Sequence, residues 1–166
     1  MMDNQQQTSW FCGFMEAEGS FQKSTHGGST IEISNTDLQA IELCEDYLKR
    51  NYILFNRKTY KRSTRLKTEY LIVIQSRTEC SNLINTLGTS FQARKLECFN
   101  KLGCSTTTRD VTLTPDLYWL VGQFEGDGCF SLEKQQKPGT DYYKPIVKLH
   151  STHEKIIEKT RPPIRG

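Results

Sequence analysis

The sequence predicts an α+β fold, with one complete domain followed by part of a second copy of it. Two observations carry this prediction. A ten-residue segment occurs twice, as WFCGFMEAEG at residues 10–19 and as WLVGQFEGDG at residues 119–128. After the first copy, stretches with the 3.6-residue period of a helix alternate with stretches that have the two-residue period of a strand. The expected order is helix, hairpin, helix, hairpin, helix, helix.

Each copy of the duplicated segment is predicted to be a helix that ends at a glycine. We expect Gly19 and Gly128 to adopt the left-handed conformation there, since glycine does so without steric cost. Thr114 followed by Pro115 is expected to open the second helix. Small residues four positions apart would let the two helices pack with their backbones close together. These helix-interface residues are Gly13 and Ala17 in the first copy and Gly122 and Gly126 in the second.

Such packing would bring the carboxylates of Glu18 and Asp127 to the same end of the helix pair. A helix C-terminus disfavours negative charge, and two neighbouring carboxylates repel each other. A divalent cation would relieve both effects, and oxygen ligands of this kind suit Mg²⁺ or Ca²⁺. The alternative is that each acid is a solvated surface group, but the match between two segments argues against it.

The residues after the first copy predict a β-hairpin. Residues 20–24 and 30–34 have strand character and are joined by a glycine turn at residues 27–28. Alternation along these strands puts the apolar side chains on a buried face and the polar ones on the opposite face. That polar face is suited to contacts in a nucleic-acid groove and carries Gln22, Ser24, His26 and Glu32.

Three further helices are predicted at residues 38–48, 80–87 and 93–102, with Asn35 or Thr36 as the N-cap of the first. Between them lies a segment, residues 57–67, that contains six Lys or Arg residues and no acid. It separates two strand-like stretches, residues 52–55 and 70–74, so we expect it to form the tip and flanks of a hairpin that binds a nucleic-acid backbone. A solvated loop is the alternative. The basic candidates are Arg57, Lys58, Lys61, Arg62, Arg65 and Lys67.

Composition excludes several classes of protein. The 166 residues are 36% hydrophobic and 25% charged, with a formal net charge of +3, as in ordinary globular proteins. No apolar run has the length of a membrane span, and the first residues do not resemble a signal peptide. The six cysteines lack zinc-site spacing and are expected to be reduced core residues of an intracellular protein.

Residues 11–19 and 120–128 resemble the nine-residue motif of the LAGLIDADG homing endonuclease family, in the two-copy form of its single-chain members. The resemblance implies an αββαββα repeat whose saddle-shaped antiparallel sheet lies on DNA. It also implies that Glu18 and Asp127 bind a divalent metal, Mg²⁺ or Mn²⁺, for cutting double-stranded DNA. Gln123 occupies a motif position that is usually apolar, and we expect it to loosen packing rather than change the chemistry.

The resemblance assigns two further catalytic candidates. Lys95 corresponds to a lysine that stabilises negative charge at the scissile phosphate, with Arg94 as a competitor for this role. An ordinary surface lysine is the alternative. Asn35 corresponds to a polar residue that orders the attacking water, but it would serve equally as a helix cap only.

The second repeat is expected to be incomplete. Residues 129–134 and 145–150 match the strands of the first hairpin, and Ser131 and Glu133 take the phase that faces DNA. The helix that should follow meets Pro162, which would break it. A truncated reading frame, a sequence fragment and completion by a second chain are the three explanations. The expected divisions are a tail at residues 1–9, a first repeat at 10–104, a linker at 105–117 and a partial second repeat at 118–166.

The favoured function is therefore a site-specific, metal-dependent DNA endonuclease. Members of the same family also act as maturases that bind intron RNA, and a catalytically inactive DNA-binding remnant is a further alternative. A glycoside hydrolase built on the carboxylate pair is disfavoured, since no aromatic-rich cleft pattern surrounds the motifs. The resemblance implies an intron-encoded protein of a plastid or a mitochondrion, with no membrane partner.

Overall fold

A computed structural model describes residues 2–23, 27–61, 67–87, 95, 98, 101–102, 116–137 and 140–149 of the chain. Residues 95, 98 and 101–102 are helical. The other helices and strands, labelled in chain order, are α1 (Asn4–Glu18), β1 (Gly19–Lys23), β2 (Ser29–Asn35), α2 (Leu38–Arg50), β3 (Asn56–Tyr60), β4 (Glu69–Gln75), α3 (Arg77–Leu87), α4 (Leu117–Asp127), β5 (Gly128–Lys137) and β6 (Thr140–Leu149).

The first four strands form an antiparallel sheet in the order β1-β2-β4-β3, and α2 and α3 pack on one of its faces. In the two central strands, alternate side chains face these helices and form the core. Ile31, Ile33, Ile72 and Ile74 are all 0% exposed there. This confirms the predicted α+β class and the predicted phase of the first hairpin.

Helix α1 begins earlier than expected, so residues 4–9 of the predicted tail are helical. Asp3 caps it through a capping box: its Oδ1 accepts from the Gln6 backbone N–H at 2.8 Å, and Gln6 Oε1 accepts from the Asp3 N–H at 3.0 Å. The apolar stripe of α1 then enters the core through Trp10, Phe11 and their neighbours.

The prediction of left-handed glycines at the ends of the motif helices is wrong. Gly19 has φ −71° and Gly128 has φ −79°, both extended, because each glycine is also the first residue of a strand. Glycine is needed for another reason. A Cβ at Gly19 would lie 2.5 Å from the Met15 carbonyl oxygen, and one at Gly128 would overlap that of Phe124.

Two predicted boundaries also change. The N-cap of α2 is Asp37, not Asn35 or Thr36, since the Asp37 side chain accepts from the Gln39 N–H at 2.8 Å. Residues 52–55 are not a strand. Tyr52 has a positive φ of 56°, and the chain turns back so that the Ile53 N–H bonds to the Leu48 carbonyl at 2.9 Å. Strand β3 therefore begins only at Asn56.

The second motif helix, α4, leads into a separate β5-β6 hairpin. Asp116 caps α4, and the predicted opening at Thr114 and Pro115 lies outside the described residues. The register of β5-β6 repeats that of β1-β2: Phe130 pairs with Val147 as Phe21 pairs with Ile31. The predicted match of the two hairpins is confirmed, and the described residues contain one complete sheet and part of another.

The sequence predicts that no segment spans a membrane and that the cysteines are reduced core residues. No helix within the described ranges is long and apolar enough to cross a membrane. Cys12, Cys44 and Cys80 are buried thiols, as predicted for core residues. Cys129 is free but exposed, because it lies on an open face of β5.

Candidate functional site

Helices α1 and α4 pack against each other through their small residues. A Cβ at Gly13 would overlap the Trp119 carbonyl oxygen, and a Cβ at Gly122 would overlap that of Trp10. A Cβ at Gly126 would overlap Ala17. The backbones are therefore as close as the spacing of the four small residues indicates, and any side chain larger than hydrogen at the glycines would separate the helices.

Hydrogen bonds between the two helices determine how far one is displaced along the other. Ser9 Oγ donates to Asp116 Oδ1 at 2.5 Å, and the same carboxylate oxygen accepts from the Trp119 N–H at 2.8 Å. Trp10 Nε1 donates to Glu125 Oε2 at 2.9 Å. The start of α4 thus lies beside Ser9, in the second turn of α1, and both helices end at the same edge of the molecule.

At that edge, the carboxylates of Glu18 and Asp127 influence each other. The pKa of Glu18 is raised to about 7, chiefly because burial disfavours the charged form and secondly because of the negative charge of Asp127. A Cβ at Gly126 would lie 3.0 Å from Glu18 Cγ, so the side chain of Glu18 packs against the residue next to Asp127. The structure brings together the two acids that the motifs single out.

Asn35 connects the end of β2 to this pair. Its Nδ2 donates to Glu18 Oε1 at 2.8 Å, and its Oδ1 accepts from the Asp37 N–H at 2.8 Å. The hydrogen bond to Glu18 lowers the pKa of that carboxyl, against the larger effect of burial. Both the nitrogen and the oxygen of the Asn35 amide are therefore hydrogen-bonded, and the side chain lies beside Glu18. The N-cap of α2 is Asp37.

Lys95 is not a surface lysine. It is 9% exposed, its Nζ donates to the Gly19 carbonyl oxygen, and its ammonium nitrogen lies 5.5 Å from the centre of the Phe21 ring. Its positive charge lowers the pKa of Glu18. Its competitor, Arg94, lies outside the described residues.

A polar cavity of about 460 Å³ opens beside Glu18. Sequence reasoning missed two of its carboxylates, Glu69 at the start of β4 and Glu125 in α4. Burial raises the pKa of Glu125, and the hydrogen bond from Trp10 partly offsets this. The position of Glu125 as the first acid of its motif was a usable signal, whereas only the sheet register brings Glu69 here. The cavity is lined by Glu18, Ser34, Asn35, Thr36, Glu69, Glu125 and Gly126.

The sheet face opposite α2 and α3 carries several of the predicted DNA-binding residues. Gln22 and Glu32 lie on it, and so does Lys58, which pairs with Leu71. Lys61 and Lys67 are exposed near the end of the β3-β4 hairpin. Ser24, His26, Arg62 and Arg65 lie outside the described residues.

Arg57 lies on the opposite side of the sheet from Lys58. It pairs with Ile72, which faces the helices, and its Nη1 lies 3.1 Å from Glu45 Oε1 of α2. The Arg57 guanidinium carbon is also 5.4 Å from the centre of the Tyr70 ring. Its contacts are therefore with the helix layer, a consequence of strand phase that a count of basic residues does not reveal.

In the second hairpin, Ser131 and Glu133 share one face of β5, and Phe130 and Leu132 share the other. Because the register repeats that of β1-β2, Ser131 corresponds to Gln22 and lies on the matching face. This is the phase that the sequence predicts for both residues.

The comparisons with known proteins agree with this geometry. A sequence profile of the LAGLIDADG-like domain matches residues 5–88. No curated protein sequence gives a match. Several solved structures share the fold at low identity.

The LAGLIDADG meganuclease I-CpaMI bound to uncleaved DNA has a TM-score of 0.54 at 14% identity, over 82% of this chain and 67% of that one. The homing endonuclease I-LtrWI bound to target DNA has a TM-score of 0.54 at 16% identity, and the match covers 93% of this chain and 70% of that one. I-SmaMI bound to an uncleaved DNA target in the presence of calcium ions has a TM-score of 0.53 at 13% identity, and the match covers 90% of this chain and 70% of that one. The profile match over half of the chain, together with the shared fold, shows that this chain belongs to the LAGLIDADG family.

Proposed function

We propose that the protein is a site-specific endonuclease that cuts double-stranded DNA by metal-assisted hydrolysis at the end of the α1-α4 pair. One observation carries the proposal: Glu18 and Asp127 meet there, beside the Asn35 amide and the charge of Lys95. The close helix packing through Gly13 and its three small partners supports this proposal, because it brings the ends of α1 and α4 together.

The two carboxylates fit a divalent cation. Positive charge would relieve the repulsion that helps to raise the pKa of Glu18 to about 7, and carboxylate oxygens are ligands that Mg²⁺ accepts. The described residues contain no cluster of three or more His, Cys, Asp or Glu side chains that could hold a metal ion. Phosphate oxygens and water would therefore complete the ligand set of Mg²⁺ or Mn²⁺. When bound, the cation would activate water and stabilise charge on the phosphate oxygens.

The side chains around the acids have distinct roles in this proposal. Asn35 orients the Glu18 carboxylate, since its own amide is held on the other side by the Asp37 N–H. Glu18 has to lose its proton to act as a ligand, and the nearby charge of Lys95 favours that loss. Lys95 also supplies a buried ammonium group that would stabilise negative charge developing on the phosphate.

The sheet face opposite α2 and α3 is the proposed DNA-binding surface. Lys58, Lys61 and Lys67 would contact phosphates, which supply affinity without reading sequence. Gln22 and Glu32 are placed to contact base edges, with Ser131 and Glu133 in the equivalent positions of the second hairpin. An organellar location, in a plastid or a mitochondrion, stays a prediction from the family.

The test compares the wild-type protein with Glu18→Gln and Asp127→Asn. Duplexes that the protein binds are first selected from random DNA and then incubated with Mg²⁺. We expect the wild type to cut both strands and each variant to bind the selected DNA with unchanged affinity but to cut it only at background rate. Equal cutting by the variants would refute the roles of the two acids.

A catalytically inactive DNA-binding remnant is the second candidate, and the exposed apolar face of β5-β6 favours it, with Phe130 77% exposed. Salt-sensitive DNA binding by the wild type without cutting would support it. A second polypeptide that covers this face is the corresponding partner proposal. The same variants distinguish an intron RNA maturase from an endonuclease. If the protein is a maturase, the wild type and Glu18→Gln should promote splicing of the intron RNA equally.

A further inference from the structure

Gln123 is a buried amide in a place where the other motif has an apolar side chain. Gln123 belongs to α4, lies at the contact of this helix with Gly13 of α1, and is 1% exposed. Phe14 occupies the same position of the first motif, is 0% exposed and stacks on Trp10 at 5.3 Å. The sequence suggests only looser packing at Gln123, so the structure has to explain why an amide is there.

The Gln123 amide is bonded to the carboxylate that the second motif contributes. Nε2 of Gln123 donates to Asp127 Oδ2 at 3.1 Å, one helical turn away. In the first half of the site, Asn35 Nδ2 donates to Glu18 Oε1 at 2.8 Å. Each acid therefore accepts a hydrogen bond from a side-chain amide, and the two amides come from different elements of the fold.

The second repeat has a different residue at the position equivalent to Asn35. Residues 147–157 (VKLHSTHEKII) align with residues 31–41 (IEISNTDLQAI), which puts Ser151 where the first repeat has Asn35. The common register of the two hairpins supports this alignment, since Val147 and Ile31 have equivalent partners. Serine has no amide donor and a shorter side chain. The repeat whose sequence has serine at this aligned position has an amide, Gln123, inside its motif helix.

Packing does not account for Gln123. Burying an amide costs free energy unless its groups are hydrogen-bonded, and within the described part of the chain Gln123 Oε1 has no hydrogen-bond partner. An apolar side chain of similar size would avoid this cost. A buried polar group that stability does not favour is a common feature of functional sites.

We propose that Gln123 is a positioning residue that orients the Asp127 carboxylate toward the site it shares with Glu18. Gln123 thus replaces, for the second acid, the donor that Asn35 supplies to the first. This inference rests on the proposed function, because orientation of Asp127 matters only if Asp127 is a ligand.

The experiment uses the full chain and three variants: Gln123→Leu, Gln123→Met and, as a matched control, Phe14→Leu. Mn²⁺ binding is measured by calorimetry on the complex with a selected duplex that carries non-cleavable phosphate linkages, because phosphate oxygens complete the proposed ligand set. Stability is measured by urea unfolding of the free protein. We expect both Gln123 variants to bind Mn²⁺ about 10- to 100-fold more weakly, as for other residues that orient metal ligands, while unfolding at equal or higher urea concentration. Phe14→Leu should unfold at lower urea concentration with unchanged Mn²⁺ affinity.

A second readout tests the hydrogen bond without metal. The side-chain amide resonance of Gln123 in a ¹⁵N spectrum should shift in Asp127→Asn and stay unchanged in Asn35→Leu. If Asp127→Asn abolishes Mn²⁺ binding but Gln123→Leu leaves it unchanged, the inference is overturned and the proposed function stands. If the wild type binds no Mn²⁺, both are overturned.

Discussion

The β1-β2 and β5-β6 hairpins have the same register but opposite surroundings. Ile31 of the first hairpin is 0% exposed under the helix layer, whereas Val147, its equivalent in the second, is 56% exposed. Strand pairing therefore follows from the local sequence, which the repeats share. Burial does not follow from the local sequence, because it depends on the helices α2 and α3, which pack on the first sheet.

The same contrast extends to the two acids. Glu18 is half-buried, with an amide donor from β2 and the charge of Lys95 beside it. Asp127 is exposed, and its amide donor comes from its own helix. The first half of the site is thus built by a complete domain, and the second by a helix and a hairpin. This difference leads to three predictions, in order of decreasing effect.

The largest effect is expected at the paired apolar positions of the two hairpins. Ile31→Ala should lower the free energy of unfolding by about 2–5 kcal/mol, because it leaves a cavity in a closed core. Val147→Ala should change it by less than about 0.5 kcal/mol, as for most exposed positions. Urea unfolding of both variants measures the comparison. Equal losses at the two sites would mean that the second hairpin is covered in solution.

A smaller effect is expected from the titration of Glu18. Its pKa is raised from 4.5 to about 7 on folding, so the folded state binds this proton more tightly than the unfolded state does. The free energy of unfolding should therefore fall as the pH rises from about 4.5 to about 7 and then level off. Unfolding curves in EDTA across this range should show that Glu18→Gln removes most of the fall.

Glu125 provides the control for this titration. Burial raises its pKa as well, so a residual slope should remain in Glu18→Gln and decrease further when Glu125→Gln is added. Asp127→Asn should move the Glu18 midpoint to lower pH, because the repulsive charge is gone. An unchanged midpoint would show that the two carboxylates do not interact.

The smallest effect on stability is expected at Phe130, in contrast to its equivalent in the first hairpin, Phe21. Phe130 is 77% exposed, so Phe130→Lys should leave the free energy of unfolding within about 0.5 kcal/mol of the wild type while reducing self-association and dye binding to apolar surface. Phe21 lies under the Lys95 ammonium group, so Phe21→Lys should be destabilising. Light scattering and unfolding curves measure both. Marked destabilisation by Phe130→Lys would contradict the conclusion that this face of the β5-β6 hairpin is exposed to solvent.

Much of the fold could be predicted because it depends on local patterns. Alternation in β2 predicts Ile31 and Ile33 on the buried face, and the spacing of Gly13 and Ala17 predicts a close helix contact. Boundaries were harder to predict, because Asp37 and Asp116 compete with other polar residues to cap helices.

The site was predicted less completely than the fold. The motifs identify Glu18 and Asp127, but Arg57 was grouped with Lys58 although strand phase turns it toward Glu45. Glu69 carries no signal of its own and reaches the cavity only through the pairing of β4. Gln123 was visible as an exception to its motif, yet its contact with Asp127 was needed to suggest a role.

The sequence alone determined the two acid-bearing helices, their close packing and the common register of the hairpins. Periodicity and the absence of a Cβ at a few glycines are enough to specify these features. Only the tertiary structure decided how strongly Glu18 is desolvated, that Asn35 and Lys95 reach it, and that Phe130 and Val147 face outward. Burial and hydrogen bonding between residues distant in sequence depend on which helices and strands pack against each other, and a local sequence pattern does not specify that packing.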